Sequence, residues 1–278
     1  MPFIKMQGIG NDYIYINAIK NKITNPSALA VKMSNRNFGI GSDGIILICE
    51  SEKSDFKMKM FNSDGSESEM CGNGIRCLAK LVYDHKMTKK TELEIETLAG
   101  VKKLSLKLKN QLVHEVTVDM GEPNIERTQI PMSGNPGTVI EEPLTLDDGV
   151  TFNITSVSMG NPHSVIFVDD VDNFPVSKYG PFVENNDVFP NRTNVEFVQI
   201  INENEVRQRT WERGSGETLA CGTGSCATVV AGTLARKLNR NVLVHLRGGD
   251  LKIEWDVRTN HVFMTGPAVE VYEGIWKS

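Results

Sequence analysis

The chain has 278 residues and a mass of 30.8 kDa, a length that favours two domains because a domain commonly has roughly 150 residues. Its net charge of −5, from 30 basic and 35 acidic side chains, disfavours a duplex nucleic-acid binder, which needs clustered basic surface. No apolar run approaches the ~18 residues of a membrane span, and the first residues lack a secretory signal pattern. We therefore expect a cytoplasmic protein that binds neither nucleic acid nor membrane.

Taken in chain order, alternating apolar residues predict strands at residues 56–60, 104–108 and 251–257. Apolar residues at helical spacing predict one helix from residue 75 and another from residue 226. Residues 121–149 contain four prolines and little periodicity, which predicts an irregular connection between domains. The chain is thus predicted to be largely β, with one main helix in each half.

Two of the five cysteines stand in the same local pattern. The five are Cys49, Cys71, Cys77, Cys221 and Cys226. Their odd number fits a disulfide framework poorly, and the spacings are not the two-residue gap of structural zinc sites. Cys71 and Cys221 each begin a Cys-Gly-x-Gly segment that leads into a predicted helix, where backbone N–H groups and the helix dipole favour an anion. We expect this field to lower the pKa of both thiols, although a tight turn around a packed cysteine also explains one such copy.

The two Cys-Gly-x-Gly segments lie 150 residues apart, and other segments match at the same offset. The matches are Gly10-Asn11 with Gly160-Asn161, residues 45–48 with 195–198, Asn62 with Glu212, and Glu67 with Glu217. An ordered series at a constant offset indicates an internal repeat. The sequence therefore predicts two related halves, each with one cysteine and one Gly-Asn loop.

Two thiols that flank one substrate carbon suit racemisation or epimerisation. One sulfur would remove a proton from one face of the carbon, and the other would return a proton to the opposite face. Backbone N–H groups at the helix ends would stabilise a substrate carboxylate as negative charge develops on it. No phosphate-binding motif and no Schiff-base lysine stands out, so we expect no cofactor and no metal.

Together the motifs resemble the diaminopimelate epimerase family, in the proline racemase-like, PLP-independent amino-acid racemase superfamily. They are the segments 6–13 (MQGIGNDY), 62–65 (NSDG), 70–76 (MCGNGIR), 160–163 (GNPH), 192–196 (RTNVE), 211–214 (WERG) and 221–224 (CGTG). The resemblance implies a homodimeric isomerase that interconverts LL- and meso-diaminopimelate in lysine and peptidoglycan-precursor synthesis.

The resemblance also implies an α/β (α+β) fold of two pseudo-symmetric domains. Each would be a mixed β-sheet wrapped around a central helix, with the active site in the cleft between them. The expected domains are residues 1–119 with 267–278, which carry Cys71, and residues 120–266, which carry Cys221.

Carried over by position, the resemblance implies that Cys71 and Cys221 are the catalytic acid/base residues, with His163 and Glu212 supporting thiolate formation. The substrate-binding positions it implies are Asn11, Asn62, Asn161, Asn194, Glu212 and Arg213, with backbone cradles at Gly72-Asn73 and Gly222-Thr223. Gly44 stands where the family often has a substrate-contacting Gln, which leaves a contact at that position open. The chemistry agrees, because Arg213 can bind a carboxylate with two hydrogen bonds and asparagine offers both donors and acceptors.

Three other functions fit the two-cysteine pattern. A proline- or hydroxyproline-type racemase would share the architecture, but its compact substrate would not need Arg213 and four asparagines at a distal end. A non-catalytic thiol or zinc-binding protein would hold stoichiometric metal through Cys71 and Cys221. A relative that has lost catalysis is disfavoured because both cysteines are present.

Overall fold

The structure is a computed structural model, and it describes residues 1–277. In chain order its strands are β1 (Pro2–Gly8), β2 (Asn11–Asn17), β3 (Gly44–Cys49), β4 (Phe56–Asn62), β5 (Glu67–Ser68), β6 (Glu92–Thr97), β7 (Gly100–Lys109), β8 (Leu112–Asp119), β9 (Val139–Thr145), β10 (Thr151–Ser158), β11 (Pro162–Phe167), β12 (Asn194–Asn202), β13 (Glu205–Glu212), β14 (Gly216–Thr218), β15 (Asn241–Leu246), β16 (Gly249–Trp255), β17 (Val262–Gly266) and β18 (Val269–Ile275). The helices are α1 (Pro26–Ser34), α2 (Gly72–Asp84), α3 (Val176–Glu184) and α4 (Gly222–Leu234), with a 3-10 turn at Arg127–Gln129. Within residues 1–277, none of these helices has the length and apolar character needed to cross a membrane.

Internal contacts divide the chain into two units. Unit 1 comprises Met1–Asp119 together with the segment that starts at Thr265, and unit 2 comprises Met120–Met264. Each unit contains both parallel and antiparallel strand pairs and two helices. The predicted α/β fold with mixed sheets is therefore confirmed.

In unit 1 the strands pair in the order β18–β1–β2–β3–β4–β6–β7–β8. Pairs β2–β3 and β4–β6 are parallel, and the others are antiparallel. Helix α2 packs against β1, β2, β7 and β8, so the sheet curves around it. It buries Ile75, Leu78 and Val82, which recur at helical spacing and form its apolar face.

Unit 2 has the same arrangement, with strands in the order β9–β10–β11–β12–β13–β15–β16. Helix α4 contacts β10, β11, β12 and β16. Its residues are mostly small or β-branched, and its central run from Ser225 to Ala231 is completely buried. A helix that is apolar all round is stable only inside a core, so α4 forms the centre of unit 2.

The strand pairings repeat at the offset predicted from the sequence. Tyr13 pairs with Gly44 in unit 1, and His163 pairs with Asn194 in unit 2, 150 residues further along the chain. Helices α1 and α3, and helices α2 and α4, also begin and end 150 residues apart. The prediction of two related halves is confirmed.

The prediction for residues 121–149 is wrong in part. This segment contains the 3-10 turn and strand β9, which pairs antiparallel with β10. Pro143 lies within β9 opposite Asn153. Proline interrupts the alternation pattern, yet an edge strand accepts it because one row of its N–H groups is not needed in the ladder.

Two further elements differ from the sequence prediction. The strand predicted to reach Val257 ends at Trp255, because the Asp256 carboxylate accepts hydrogen bonds from the N–H and the hydroxyl of Thr259 and closes a turn. Helices α1 and α3 were not predicted. A signal for α1 was present, because Asn25 caps its first turn just before a proline.

Candidate active site

Cys71 is the N-cap residue of α2. Its backbone is extended, with φ −128° and ψ 120°, and its Sγ accepts a hydrogen bond from the backbone N–H of Gly74 at 3.4 Å. A Cβ at Gly74 would lie 2.7 Å from Cδ1 of Ile46, so a side chain there would require this terminal methyl group to move. The predicted location of Cys71 at the start of a helix is confirmed.

Asn11 contacts Cys71 in a fixed orientation. The Cys71 thiol donates a hydrogen bond to Asn11 Oδ1 at 3.0 Å, and Asn11 Nδ2 donates one to Asp43 Oδ2 at 2.7 Å. Because a carboxylate only accepts, Asp43 draws the amide nitrogen to its side and leaves the amide oxygen facing the sulfur. Arg36 in turn pairs with Asp43 at 2.9 Å.

The predicted cradle at Gly72-Asn73 can bind an anion through its backbone N–H groups. Arg76, which is fully buried, donates to the Asn73 side chain at 2.9 Å and to the Gly72 carbonyl at 3.2 Å. The Asn73 side-chain oxygen is therefore engaged inside unit 1. The backbone N–H groups of the first helical turn lack partners within the helix and are the groups that would hold an anion.

Asn62 and Gly44 lie opposite each other on neighbouring strands. Asn62, at the end of β4, donates to Ser66 Oγ at 3.0 Å. A Cβ at Gly44 would lie 2.2 Å from the carbonyl oxygen of Phe61, so a side chain there would collide with β4. Close approach of the two strands explains why glycine stands at this position.

Cys221 is the N-cap residue of α4, as predicted, and repeats the geometry of Cys71. Its φ and ψ are −123° and 111°, and its Sγ accepts a hydrogen bond from the Gly224 N–H at 3.4 Å. The Thr223 hydroxyl lies 3.5 Å from the same sulfur. Unlike Cys71, which is half-buried, Cys221 is only 5 % exposed.

A chain of polar contacts connects Cys221 to a buried histidine. Asn161 Nδ2 lies 3.4 Å from Thr223 Oγ1, and Asn161 Oδ1 lies 3.1 Å from His163 Nε2. His163 Nδ1 is 2.9 Å from Glu196 Oε1, and both of these side chains are fully buried. Glu196 lies on β12, in the segment that matches residues 45–48 at the repeat offset, and was not among the predicted site residues.

Glu212 lies at the end of β13 close to the same thiol. Its Oε1 accepts a hydrogen bond from the Thr218 hydroxyl at 2.5 Å. Burial raises the pKa of Glu212, and the neighbouring Glu196 charge adds to the rise, while hydrogen bonds from Thr218 and from the Cys221 thiol oppose it. Glu212 is therefore a buried carboxylate in hydrogen-bond contact with the Cys221 thiol.

The pKa of Cys221 lies well above its ordinary value. Burial is the largest cause, followed by the charges of Glu212 and Glu196, while the Thr223 hydroxyl and the Gly224 N–H act in the opposite direction. The expectation that the helix terminus lowers the pKa is thus wrong for Cys221. Desolvation and two nearby carboxylates outweigh the helix dipole, which acts mainly over a single turn.

Asn194 and Arg213 are brought together at the start of β12. Asn194 Oδ1 accepts a hydrogen bond from the Arg213 backbone N–H at 3.0 Å, and Asn194 Nδ2 donates to the Pro162 carbonyl at 2.8 Å. The Arg213 guanidinium donates to the carbonyl of Asn191 at 3.0 Å. Asn194 therefore fixes the backbone from which the half-exposed Arg213 side chain extends.

A buried carboxylate that was not predicted from the sequence holds the residues on either side of Arg213. Glu184, on α3, accepts hydrogen bonds from Trp211 Nε1 at 2.7 Å and from the Gly214 N–H at 2.9 Å. Arg192 also pairs with it at 3.0 Å. Glu184 is 5 % exposed, and these donors account for its burial.

These contacts define two half-sites, one in each unit. The Cys71 half-site consists of Asn11, Asp43 and Cys71 with the first turn of α2, and the Cys221 half-site consists of Asn161, His163, Glu196, Glu212, Cys221 and Thr223 with the first turn of α4. At repeat-equivalent positions, unit 1 has Tyr13, Ile46 and Asn62 where unit 2 has His163, Glu196 and Glu212. Over residues 1–277, no three His, Cys, Asp or Glu side chains are grouped as ligands for a metal ion.

Known proteins are similar to this chain over nearly its whole length. A family model described as diaminopimelate epimerase matches residues 3–126 and 155–271. The chain is 54 % identical over 281 residues to the diaminopimelate epimerase of Agathobacter rectalis, covering 99 % of this chain and 98 % of the relative. It is 53 % identical over 274 residues to the diaminopimelate epimerase of Methanococcus maripaludis, covering 99 % of each.

Solved structures with low sequence identity share the fold. A PhzF-family phenazine biosynthesis protein of Bacillus anthracis superposes with a TM-score of 0.70 at 17 % identity, covering 99 % of this chain and 98 % of that one. A hydroxyproline epimerase of Agrobacterium vitis, with bound trans-4-hydroxy-L-proline, superposes with a TM-score of 0.68 at 13 % identity, covering 99 % and 91 %.

Proposed function

Because the chain belongs to the diaminopimelate epimerase family, we propose that it converts LL-diaminopimelate to the meso isomer with Cys71 and Cys221 as the two acid/base groups. The observation that carries the catalytic part is the repeated geometry of the two thiols. Each caps a central helix, and each sulfur lies 3.4 Å from the N–H of the third residue after it. This places both sulfurs beside N–H groups that bind an anion.

The proposed reaction is a proton exchange at one α-carbon. A thiolate removes the α-proton and becomes a thiol, and the other cysteine, as a thiol, donates its proton to the opposite face and becomes a thiolate. One thiol and one thiolate are therefore present before and after each turnover, and the same pair runs the reaction in reverse. His163 and Glu212 support this exchange beside Cys221, where Glu212 accepts a hydrogen bond from the thiol.

The substrate has two ends that carry the same groups, and we propose that different residues bind them. The N–H groups of Gly72-Asn73 and Gly222-Thr223 bind the carboxylate of the reacting centre, which gains charge as the proton leaves. Arg213 binds the carboxylate of the other end, because its guanidinium matches a carboxylate with two hydrogen bonds. The remaining amides, Asn11, Asn62, Asn161 and Asn194, contact the ammonium and carboxylate groups.

We also propose that the enzyme is a cytoplasmic homodimer. Strand β18 exposes apolar side chains on both faces: Val269 is 43 %, Val271 54 %, Tyr272 44 % and Ile275 72 % exposed. Exposed apolar side chains along one strand favour association with a second copy of the chain. All five cysteines are free thiols in the structure, which agrees with a reducing compartment.

Proton NMR of LL-diaminopimelate in D2O, with reduced protein and no added cofactor, tests the function. We expect the meso isomer to appear with deuterium at one α-position. Cys71→Ala and Cys221→Ala should each abolish the conversion, while Cys49→Ala, which changes a cysteine outside both half-sites, should retain it. Folded wild-type protein with free thiols that yields neither exchange nor isomerisation would contradict the proposal, and full turnover by either alanine variant would contradict the two-thiol mechanism.

A further inference from the structure

Glu196 is a fully buried carboxylate with one unsatisfied oxygen. Its Oε1 contacts His163 Nδ1 at 2.9 Å, and its Oε2 has no hydrogen-bond partner within the described part of the chain. Burying a charge in this way is unfavourable unless it is paired, and a structural carboxylate usually has both oxygens satisfied. The contrast with Glu184, whose two oxygens both accept hydrogen bonds, indicates that Glu196 does more than join two strands.

The Glu196 carboxylate lies beside the Cys221 sulfur under the first turn of α4. A Cβ at Gly224 would be 2.4 Å from Glu196 Oε1 and 3.2 Å from Cys221 Sγ. The carboxylate oxygen and the sulfur are therefore both adjacent to the space that this Cβ would occupy. Only a glycine at residue 224 permits this approach. The charge of Glu196 therefore acts directly on the thiol as well as on His163.

Unit 1 lacks this charge at the equivalent position. Gly74 corresponds to Gly224, and the atom that a Cβ there would meet is Cδ1 of Ile46. An isoleucine fills this position without charge, so the fold does not require a carboxylate under the capped helix. The carboxylate at residue 196 therefore makes the Cys221 half-site chemically different from the Cys71 half-site.

We propose that Glu196 is a positioning residue that orients His163 through Nδ1 and keeps Cys221 in the thiol form, so that Cys221 begins the cycle as the proton donor. This inference rests on the proposed two-thiol mechanism. The groups that face Cys221 are Glu212 on β13 and Glu196 on β12, with His163 on β11 in contact with Glu196. Two carboxylates oppose a third negative charge on the sulfur, and they favour S–H until the substrate carbanion takes the proton.

Alkylation of Cys221 as a function of pH tests this inference, because only the thiolate reacts with iodoacetamide. The modified peptide is quantified by mass spectrometry in folded protein without substrate, which makes the readout independent of turnover. Glu196→Gln keeps the shape of the side chain and removes its charge. We expect the midpoint of Cys221 alkylation to move to lower pH by about 1 unit, because a thiolate is no longer opposed by the nearby carboxylate.

Two variants separate charge from structure. Glu196→Asp retains the negative charge and should keep the alkylation midpoint closer to that of the wild type than Glu196→Gln does. Glu205→Gln removes a carboxylate from another histidine pair of unit 2, in which Glu205 Oε1 lies 2.8 Å from His245 Nε2, and should leave the Cys221 midpoint unchanged. An unchanged or higher midpoint in folded Glu196→Gln protein would overturn the inference.

Steady-state kinetics supply the second readout. We expect Glu196→Gln to lower kcat for epimerisation by about tenfold with KM within about twofold, because the change affects proton transfer and not substrate contacts. Wild-type kcat in a variant whose alkylation midpoint has moved would overturn the role as first proton donor. If the wild-type protein does not epimerise diaminopimelate, the proposed function fails, whereas the alkylation profiles still report whether Glu196 controls Cys221.

Discussion

At the scale of single residues, the orientation of a side-chain amide is set by the hydrogen-bond partner at one of its two ends. Asp43 binds Asn11 Nδ2 and so directs the amide oxygen toward Cys71. Asparagine alone could present either end to the sulfur. The amide atom that faces Cys71 is thus set by Asp43, which acts through Asn11.

Asp43→Asn tests this orientation. The new amide can donate as well as accept, so Asn11 is no longer held with its oxygen toward the thiol, and we expect kcat to fall by about tenfold with less than about 1 kcal/mol lost in unfolding free energy. Steady-state kinetics and urea denaturation measure the two quantities. Asp170→Asn, which changes an exposed turn carboxylate, is the control. Wild-type kcat in Asp43→Asn would show that the orientation is unimportant.

Arg213→Lys tests the proposed contact with the distal carboxylate. Lysine keeps the charge but cannot form two parallel hydrogen bonds to a carboxylate, so we expect KM for LL-diaminopimelate to rise about tenfold or more. The rise would be seen in initial rates over a range of substrate concentrations. Arg207→Lys, at an exposed pair with Asp172, should leave KM unchanged. Equal KM values for the two variants would remove Arg213 from the site.

The sequence allowed the residues of the motifs to be predicted, but not the carboxylates that support them. Cys71 and Cys221 are identified by their repeated glycine-rich turns, whereas Asp43 and Glu184 each act through contacts between distant segments. One signal for Glu196 was available, because an acidic residue within the apolar run Val-Glu-Phe-Val is costly to bury without a partner. Its partner, His163, is 33 residues away and is brought close only by the parallel pairing of β11 and β12.

At the scale of elements, the glycines in the first turns of α2 and α4 face different side chains. At Gly224 an added Cβ would meet the buried Glu196 carboxylate, which His163 holds in place. At Gly74 it would meet the terminal methyl group of Ile46, which can rotate. The same substitution should therefore have different effects in the two helices.

Gly224→Ala should be more destabilising than Gly74→Ala. Alanine gains about 1 kcal/mol over glycine within a helix, while overpacking a core costs about 1–3 kcal/mol. We expect a net loss of up to about 2 kcal/mol for Gly224→Ala, where the buried carboxylate cannot move aside, and a change within about 1 kcal/mol for Gly74→Ala. Denaturant unfolding of the two variants measures the difference. Equal stabilities would mean that the Glu196 carboxylate moves aside freely.

Helices and strands could be predicted where the spacing of apolar residues in the sequence matches the residues that are buried. Helix α2 has one apolar face, so its spacing is visible in the sequence, and the start of α4 is marked by the repeated turn. Strand β9 was missed because its inner positions are few and a proline interrupts its alternation. Its place in the sheet depends on β10, a partner that no local pattern identifies.

At the scale of the whole molecule, the exposed faces of β18 predict self-association. Val271→Glu adds a charge to this strand at a side chain that is already 54 % exposed, so the fold of unit 1 should be retained while dimerisation is lost. Size-exclusion chromatography with light scattering should give a dimer for the wild type and a monomer for the variant. Val257→Glu, at a turn residue that is 74 % exposed, is the matched control and should stay dimeric. A dimeric Val271→Glu protein would place the interface elsewhere.

The pairing of β1 with β18 has a consequence for how the protein is made. Strand β1 leaves the ribosome before β18, which follows some 260 residues later, and at about 5–20 residues per second this is a delay of roughly 13–50 seconds. Unit 2 is continuous in the chain and can fold during synthesis, while one side of β1 stays unpaired until β18 has been made. Substitutions in β18 should therefore lower the yield of newly made protein at elevated temperature, because chains that still lack this pairing can aggregate before they fold. The same substitutions should have a smaller effect on the stability of molecules that have already folded.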